Sequence, residues 1–312
     1  MKRVAVTGIS GYIGDILANR LIPRDDIELI VGIDIKRPQC CSPKLKFSYR
    51  DISEPIDEIF IENNVDTAIN LAFVVKPTHN KKNAEQIDIG GISNFLDACM
   101  KVKVKHILYL SSHTVYGAHA DNTQPLSEDA PLRPMPGFQY SWDKAEAERI
   151  LQDFANLHRD VCISVLRSCP VIGPNAANSV VTSMFKSVMI RVAGYDPPMQ
   201  FVHEDDLVEI IMYLLDQPRT GIFNISGEGS IRYSDIARLR GKRTIALPEQ
   251  ILRFLMGISW MLHLQRESPV SGLEFIKYPP IVSTEKIKGE MGFQFGYSCR
   301  DALLSFLEAE TS

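Results

Sequence analysis

Tyr140-Ser141-Trp142-Asp143-Lys144 sets a phenol and an ammonium four residues apart, a spacing that puts both on one face of a helix. A phenol with a reference pKa of about 10 is a poor base at neutral pH. A nearby positive charge favours the phenolate and lowers that value. The pair therefore predicts that Tyr140 takes a proton from a substrate hydroxyl, with Lys144 tuning it. Upstream, Ser111-Ser112-His113-Thr114-Val115-Tyr116-Gly117 follows an apolar run, so Ser112 can hydrogen-bond an oxygen that is becoming a carbonyl. His113 is a candidate for a proton or substrate contact, against the plainer reading of a loop histidine bonded to its neighbours. Taken singly, Y-x-x-x-K is most often a surface pair, and paired serines after a strand are most often turn chemistry.

Removing that proton oxidises an alcohol only if something accepts a hydride. Thr7-Gly8-Ile9-Ser10-Gly11-Tyr12-Ile13-Gly14 lies between the apolar run Val4-Ala5-Val6 and a helical pattern through Ile16, Leu17 and Leu21. Strand, glycine turn and helix form a dinucleotide cradle: Gly8 for the tight turn, Gly11 for backbone approach to a pyrophosphate, Gly14 for close helix–strand packing. Tyr12 and Ile13 join them as cofactor-binding candidates, since the first N–H groups of the helix face the phosphates. Asp34 ends the second apolar run, 20 residues beyond Gly14. A carboxylate there accepts hydrogen bonds from ribose hydroxyls and repels a 2′-phosphate, which favours NAD over NADP. Arg37, three residues on, keeps the NADP alternative in view. Hydride leaving for the nicotinamide as Tyr140 takes the proton is the reaction these residues predict.

These groups need a scaffold that brings strand ends together. Strand signals at 3–7, 29–34, 46–49, 67–72, 106–111 and 162–167 alternate with helical patterns at 12–21, 54–62, 84–101 and 138–157. Several strands are near-continuous apolar runs, as in a parallel sheet covered on both faces. The expected fold is α/β: a doubly wound parallel Rossmann sheet with a smaller, mostly helical C-terminal substrate domain. Residues 1–174 would form the NAD-binding part, with 199–226 returning to it (199–202 and 222–225 as strands, 206–215 as a helix). Residues 175–198 and 227–312 would cover the substrate. Phe73 and Val74, after the fourth strand, are candidates for the substrate pocket or for a simple core cap. The apolar helical stretch 251–264 reads first as packing in the small domain, and second as a greasy lid.

The 312 residues suffice for this plan, and 45% hydrophobic with 23% charged residues is ordinary for a globular chain. A net charge of −4 leaves no electrostatic footprint for nucleic acid. No apolar run reaches the roughly 20 residues a membrane span needs. The six cysteines show no metal-ligand spacing and predict no metal site. The first strand begins almost at once, so no leader is expected, and a reducing cytoplasm is the expected location.

The same residues carry a resemblance. The chain resembles the extended short-chain dehydrogenase/reductases of the NAD-dependent epimerase/dehydratase group, typified by UDP-glucose 4-epimerase. The matching pieces are Thr7-Gly8-x-x-Gly11-x-x-Gly14, Asp34, Asp51-Ile52, Asn70-Leu71-Ala72, Ser112 before Tyr116, Tyr140-x-x-x-Lys144, Arg167…Gly173-Pro174 and Val202-His203-x-Asp205-Asp206. The resemblance implies that Asp51 and Ile52 approach the adenine and that Leu71 and Ala72 line the cofactor channel. It also implies that Pro170 lies near the nicotinamide carboxamide and that Lys144 holds the nicotinamide ribose. A homodimer through the helices near 84–101 and 138–157 is implied too. Departures narrow the substrate. Ser112-His113-Thr114 stands where 4,6-dehydratases carry Thr-Asp-Glu, which argues against dehydration. Pro170 stands where many nucleotide-sugar epimerases carry an asparagine, and the helix usually opening Asn-Val-x-Gly-Thr reads Asp88-Ile89-Gly90-Gly91-Ile92. Arg232, Arg253 and Arg266 are the candidates for a diphosphate clamp.

Three functions compete. The first is a nucleotide-sugar epimerase that keeps NAD bound. The second is an NAD-dependent dehydrogenase or reductase of a non-sugar, apolar alcohol or ketone. The third is a non-catalytic NAD-sensing regulator, which would need only the cofactor half of these motifs.

Overall fold

The computed structural model describes residues 1–75, 78–176, 189–264 and 268–311. Seven parallel strands form the central sheet: β1 (Lys2–Thr7), β2 (Ile27–Asp34), β3 (Leu45–Tyr49), β4 (Thr67–Asn70), β5 (His106–Ser112), β6 (Cys162–Ser168) and, by its place in the sheet, the later strand Gly221–Ile225. Their order across the sheet is Gly221–Ile225, β6, β5, β4, β1, β2, β3. The chain order reverses between β1 and β4, so their carboxyl ends open a crevice at a topological switch point.

Side-chain alternation along the strands divides the core into two layers. Val4 and Val6 face one layer with α1 (Tyr12–Leu21), while Ala5 faces the other. α1 buries Ile13, Leu17, Ala18 and Leu21, the stripe expected from helical spacing. On the opposite face lie α2 (Asp57–Asn63), α4 (Gly91–Val102) and α5 (Gln139–Leu157), contributing Phe60, Phe95, Leu96, Ala147 and Leu151. The pattern at 84–101 does not make one helix. It is split into α3 (Lys81–Glu85), a π-helical turn (Gln86–Gly90) and α4. The turn carries Asp88 inward, where its carboxylate accepts the Val74 amide at 2.8 Å.

Beyond β6 the strands are short. β7 (Val171–Ile172) pairs with β10 (Val202–His203), β8 (Met189–Val192) with β13 (Thr244–Leu247), and β9 (Pro198–Met199) with β12 (Ile231–Arg232). The stretch 199–202 therefore does not rejoin the central sheet as expected. It feeds two separate ribbons, because Phe201 and Met199 pack with Ile231, Tyr233, Leu303 and Phe306 in a third apolar cluster. β11 (Gly221–Ile225) does return, pairing with β6, and α6 (Glu204–Asp216) covers the α1 face. His203 is buried, stacked on Tyr297 at 3.6 Å between centroids, and accepts the Asp205 amide at the start of α6. The remainder is mostly helical: α7 (Tyr233–Leu239), α8 (Glu249–Met261), α9 (Leu273–Lys277), α10 (Glu285–Met291) and α11 (Cys299–Thr311). α8 packs through Leu252 against Val192 and Leu273, yet Phe254 and Met261 stand out in solvent. No helix among the described residues is long and apolar enough to cross a membrane.

α5 is fixed to the sheet by charge as well as by apolar packing. The Glu148 carboxylate accepts from Arg167 Nη2 at 2.7 Å and from Nε at 3.0 Å, and also takes the Ser111 hydroxyl. Arg167 Nη1 donates to the Tyr116 hydroxyl at 2.8 Å and to the Glu128 carbonyl at 2.9 Å. Both members of the ion pair are only 4% exposed. Removing one partner of such a pair strands the other charge in a poorly solvated place. Glu148→Ala is expected to lose about 3–5 kcal/mol of stability in urea unfolding, and pairing it with Arg167→Met should recover most of that. A single-variant loss under about 1 kcal/mol would show that the pair does not anchor the helix.

Candidate active site

The candidate residues cluster because each follows a strand at the same edge of the sheet. Gly8 and Gly11 follow β1, Asp34 closes β2, Asp51 and Ile52 follow β3, Leu71 to Val74 follow β4, Ser112 closes β5 and Pro170 follows β6. The glycine loop is tight. Gly8 has φ +74°, and a Cβ there would lie 2.7 Å from the Ala72 amide nitrogen. A Cβ on Gly14 would lie 2.2 Å from the Gly8 carbonyl oxygen, so the first turn of α1 can approach β1 only as glycine. Gly11 meets nothing but the Gly8 carbonyl, at 3.1 Å. It starts α1 without a side-chain cap, leaving the first helical N–H groups for an anion. Asp34 braces the loop, accepting the Ser10 amide at 3.0 Å and the Lys36 amide at 3.1 Å. Tyr12 donates to Glu204, joining the loop to α6. Ile52 packs where a Cβ on Gly91 would sit, 2.8 Å from its Cγ2, and Asp51 takes the Ser53 amide and hydroxyl. A glycine loop with no room for a Cβ at Gly8 or Gly14, an uncapped helix start and an acid at the second strand's end fit NAD.

At the nicotinamide end, α5 presents Tyr140, Lys144 and Glu148 one turn apart toward the sheet. The Ser112 hydroxyl, which accepts from the Thr114 amide at 3.2 Å and the Thr114 hydroxyl at 3.0 Å, lies close enough to the Tyr140 phenol to favour its ionised form. Its ring stands edge-on to Phe73 at 5.5 Å. Lys144 Nζ donates to the Leu110 carbonyl at 2.6 Å and lies 3.6 Å above the Phe73 ring. Lys144 is not among the groups that set the phenol's pKa in this cofactor-free chain. Burial pushes Tyr140 up to about 12, against the Ser112 hydroxyl and with help from the Asp88 charge. Burial also pulls Lys144 down to about 7, against the carboxylates of Asp88 and Glu148. Lys144 spends its donors on a carbonyl and an aromatic face, so desolvation governs both groups.

The substrate candidates separate. Phe73 belongs to this centre, and Val74 lines a cleft with Thr78, Asp88, Phe138, Tyr140, Asp143 and Trp260. His113 is not among the cleft's lining residues. It is buried with Nδ1 3.2 Å from the Ser168 carbonyl, and burial lowers its pKa to about 4, keeping it neutral. Pro170 is half-buried, and its carbonyl accepts the Val202 amide. Arg253 is tied to Glu249 and Glu274, and Arg232 donates to the Asp196 carbonyl; Arg266 lies outside the described residues. Asp143 and Glu148 are acids that motif reading did not use, and their signal was the spacing from Tyr140, three residues for Asp143 and eight for Glu148; Asp88 was read only as the start of an atypical helix opening.

Asp143 and Asp88 make the site pH-sensitive. Burial raises Asp143 to about 6 and Asp88 to about 7, above the roughly 3.9 of an unfolded aspartate. The folded chain then holds protons that the unfolded chain has released, so stability falls as pH rises through that window. Asp143→Asn should melt at a higher temperature than the unmutated chain at pH 8, with the gap closing toward pH 4. A gap equal at both ends would contradict burial of this carboxyl.

Comparison with known proteins agrees with this architecture. An uncharacterized protein of Mycobacterium tuberculosis is 22% identical over 304 residues, covering 94% of this chain and 80% of its own length. The crystal structure of UDP-glucose 4-epimerase with UDP-glucose from Thermotoga maritima aligns with a TM-score of 0.79 at 18% identity, over 99% of this chain and 98% of that one. The Bordetella bronchiseptica enzyme WbmG in complex with NAD and UDP aligns with a TM-score of 0.77 at 18% identity, over 99% and 94%. At such identities these likenesses establish the fold. Residues 4–226 match the model of one family, and the chain belongs to it: the NAD dependent epimerase/dehydratase family.

Proposed function

We propose that this protein is a nucleotide-sugar epimerase that oxidises and re-reduces one hydroxyl-bearing carbon while keeping NAD in place. The observation that carries this reading is the convergence of Ser112 and Tyr140, with Lys144 one helical turn away over the Phe73 ring and the glycine cradle at the same sheet edge. Gly8, Gly11, Tyr12, Ile13 and Gly14 would hold the diphosphate and Asp34 the adenosine ribose. Asp51 and Ile52 would meet the adenine, Leu71, Ala72 and Pro170 would flank the channel, and Lys144 would hold the nicotinamide ribose. When bound, NAD supplies the hydride acceptor and a positively charged ring. Tyr140 takes the hydroxyl proton as the C–H electron pair leaves, and the carbon–oxygen double bond forms. Ser112 donates a hydrogen bond to that oxygen, steadying the charge that develops on it. A Tyr140 pKa near 12 suits a phenol waiting for its partner, since a positive ring nearby favours the phenolate. Solved structures of the same fold that hold UDP-glucose, or NAD with UDP, support a nucleotide-sugar substrate. Residues 175–198 and 227–312 would cover it; of these, 177–188, 265–267 and 312 lie outside the described residues. A homodimer through α4 and α5 is part of the reading, supported by half-exposed Met100 and Trp142 on those helices.

One observation favours a second reading, a dehydrogenase of an apolar alcohol that releases NADH each turnover. Phe138, Val74 and Trp260 wall the cleft, and the exposed apolar side of α8 lies on the helix that supplies Trp260.

Turnover of a panel of UDP-, dTDP- and GDP-sugars, sterols and aryl alcohols separates the readings. Epimerisation should proceed without net NADH, and Tyr140→Phe should slow it by roughly 10²–10⁴-fold with NAD binding kept. Stoichiometric NADH from an apolar alcohol would favour the second reading. Full activity of Tyr140→Phe would end both.

A further inference from the structure

We propose that Asp143 and Asp88 form a cationic subsite beside Tyr140, which takes an amino group on the substrate. This deepens the reading of Tyr140 given above and rests on it. Both aspartates line the cleft with Phe138, Tyr140 and Trp260, and they are 4% and 3% exposed. Each has one carboxylate oxygen engaged by the protein. Asp143 Oδ1 accepts from Gln139 Nε2 at 2.6 Å, and Asp88 Oδ1 accepts from the Val74 amide at 2.8 Å. The other oxygen of each, Oδ2, is buried without a hydrogen-bond partner. Native proteins rarely leave such oxygens unsatisfied, because the desolvation cost is not returned. Two in one cleft wall call for donors brought by a ligand. The π-turn that turns Asp88 inward is itself a local irregularity of the kind found at functional sites.

Charge selects an ammonium over a hydroxyl. Asp88 on the π-turn feels Lys144, and Asp143 on α5 feels exposed Glu85 on α3, but neither Lys144 nor Glu85 lines the cleft. Of the charged residues that do line it, two carboxyl groups, Asp88 and Asp143, face one ammonium, Lys81, so the wall is one positive charge short. An ammonium would supply that charge and several donors at once. Phe138, Tyr140 and Trp260 give the same cleft aromatic surfaces that attract cations. The raised pKa values of both aspartates are consistent with a wall lacking its counter-charge.

The test is isothermal titration of the NAD-loaded protein at pH 7 with UDP-glucose and three counterparts in which an amine replaces the 2-, 3- or 4-hydroxyl. One amine is expected to bind at least tenfold tighter than UDP-glucose, and Asp143→Asn should erase that preference. Tyr140→Phe should keep the preference while losing turnover, which separates this subsite from the proton-transfer role. The proposal is overturned if no amine outbinds UDP-glucose, or if the preference survives in both Asp143→Asn and Asp88→Asn. If NAD binds but no UDP-sugar does, the nucleotide-sugar reading falls. Glucosamine against glucose, compared by saturation-transfer NMR on the unmutated protein and Asp143→Asn, then decides the amine subsite alone.

Discussion

The buried ion pair between Glu148 and Arg167 is the constraint on which the site depends. Glu148 lies on α5, Arg167 on β6, and the arginine reaches Tyr116 and the Glu128 carbonyl as well. Tyr116 donates in turn to Asn224 on β11 at 2.7 Å. One guanidinium therefore ties the helix bearing Tyr140 and Lys144 to the sheet and to the turn after Ser112. A buried pair of this kind is a weak source of net stability, because desolvation cancels much of the attraction. What it supplies is register: α5 cannot rotate or slide without stranding a charge.

That register explains why one helix face carries three ionisable groups at successive turns. Tyr140, Lys144 and Glu148 point at the sheet where apolar side chains would pack more cheaply. Glu148 is neutralised by Arg167, and Lys144 leans on a carbonyl and on the Phe73 ring. Tyr140 is opposed in its burial only by the nearby Ser112 hydroxyl. Satisfaction thus falls along the helix toward the cleft, and the least compensated groups, Tyr140, Asp143 and Asp88, stand where a ligand would enter. Preorganised, under-compensated polar groups are what a site needs if charge is to develop there.

Much of this was legible in the sequence. The glycine spacing, Asp34 and the strand periodicity specify a parallel sheet and a cofactor edge because each answers to local backbone geometry: a positive φ at Gly8, a close approach at Gly14, a strand end at Asp34. Ser112, Tyr140 and Lys144 were legible by helix spacing and position after a strand. The short ribbons at 198–203 were not, since four or five apolar residues do not say which strand they pair with. The π-turn was hidden for a different reason: an extra residue in a helix turn is driven by the Asp88–Val74 contact, which is tertiary. The setting of Tyr140 was not legible either, because spacing does not show that Lys144 directs its charge to a carbonyl and an aromatic face, and burial is invisible to spacing.

The account's central claim is that α5, so anchored, brings proton acceptor and hydride acceptor to one point. A crystal structure of the NAD complex measures this directly. The Tyr140 phenol oxygen and the Ser112 hydroxyl should both line a space that lets a substrate carbon sit about 3–3.5 Å from the reactive nicotinamide carbon. A nicotinamide ring bound away from Tyr140, or a diphosphate that avoids the loop from Gly8 to Gly14, would contradict it.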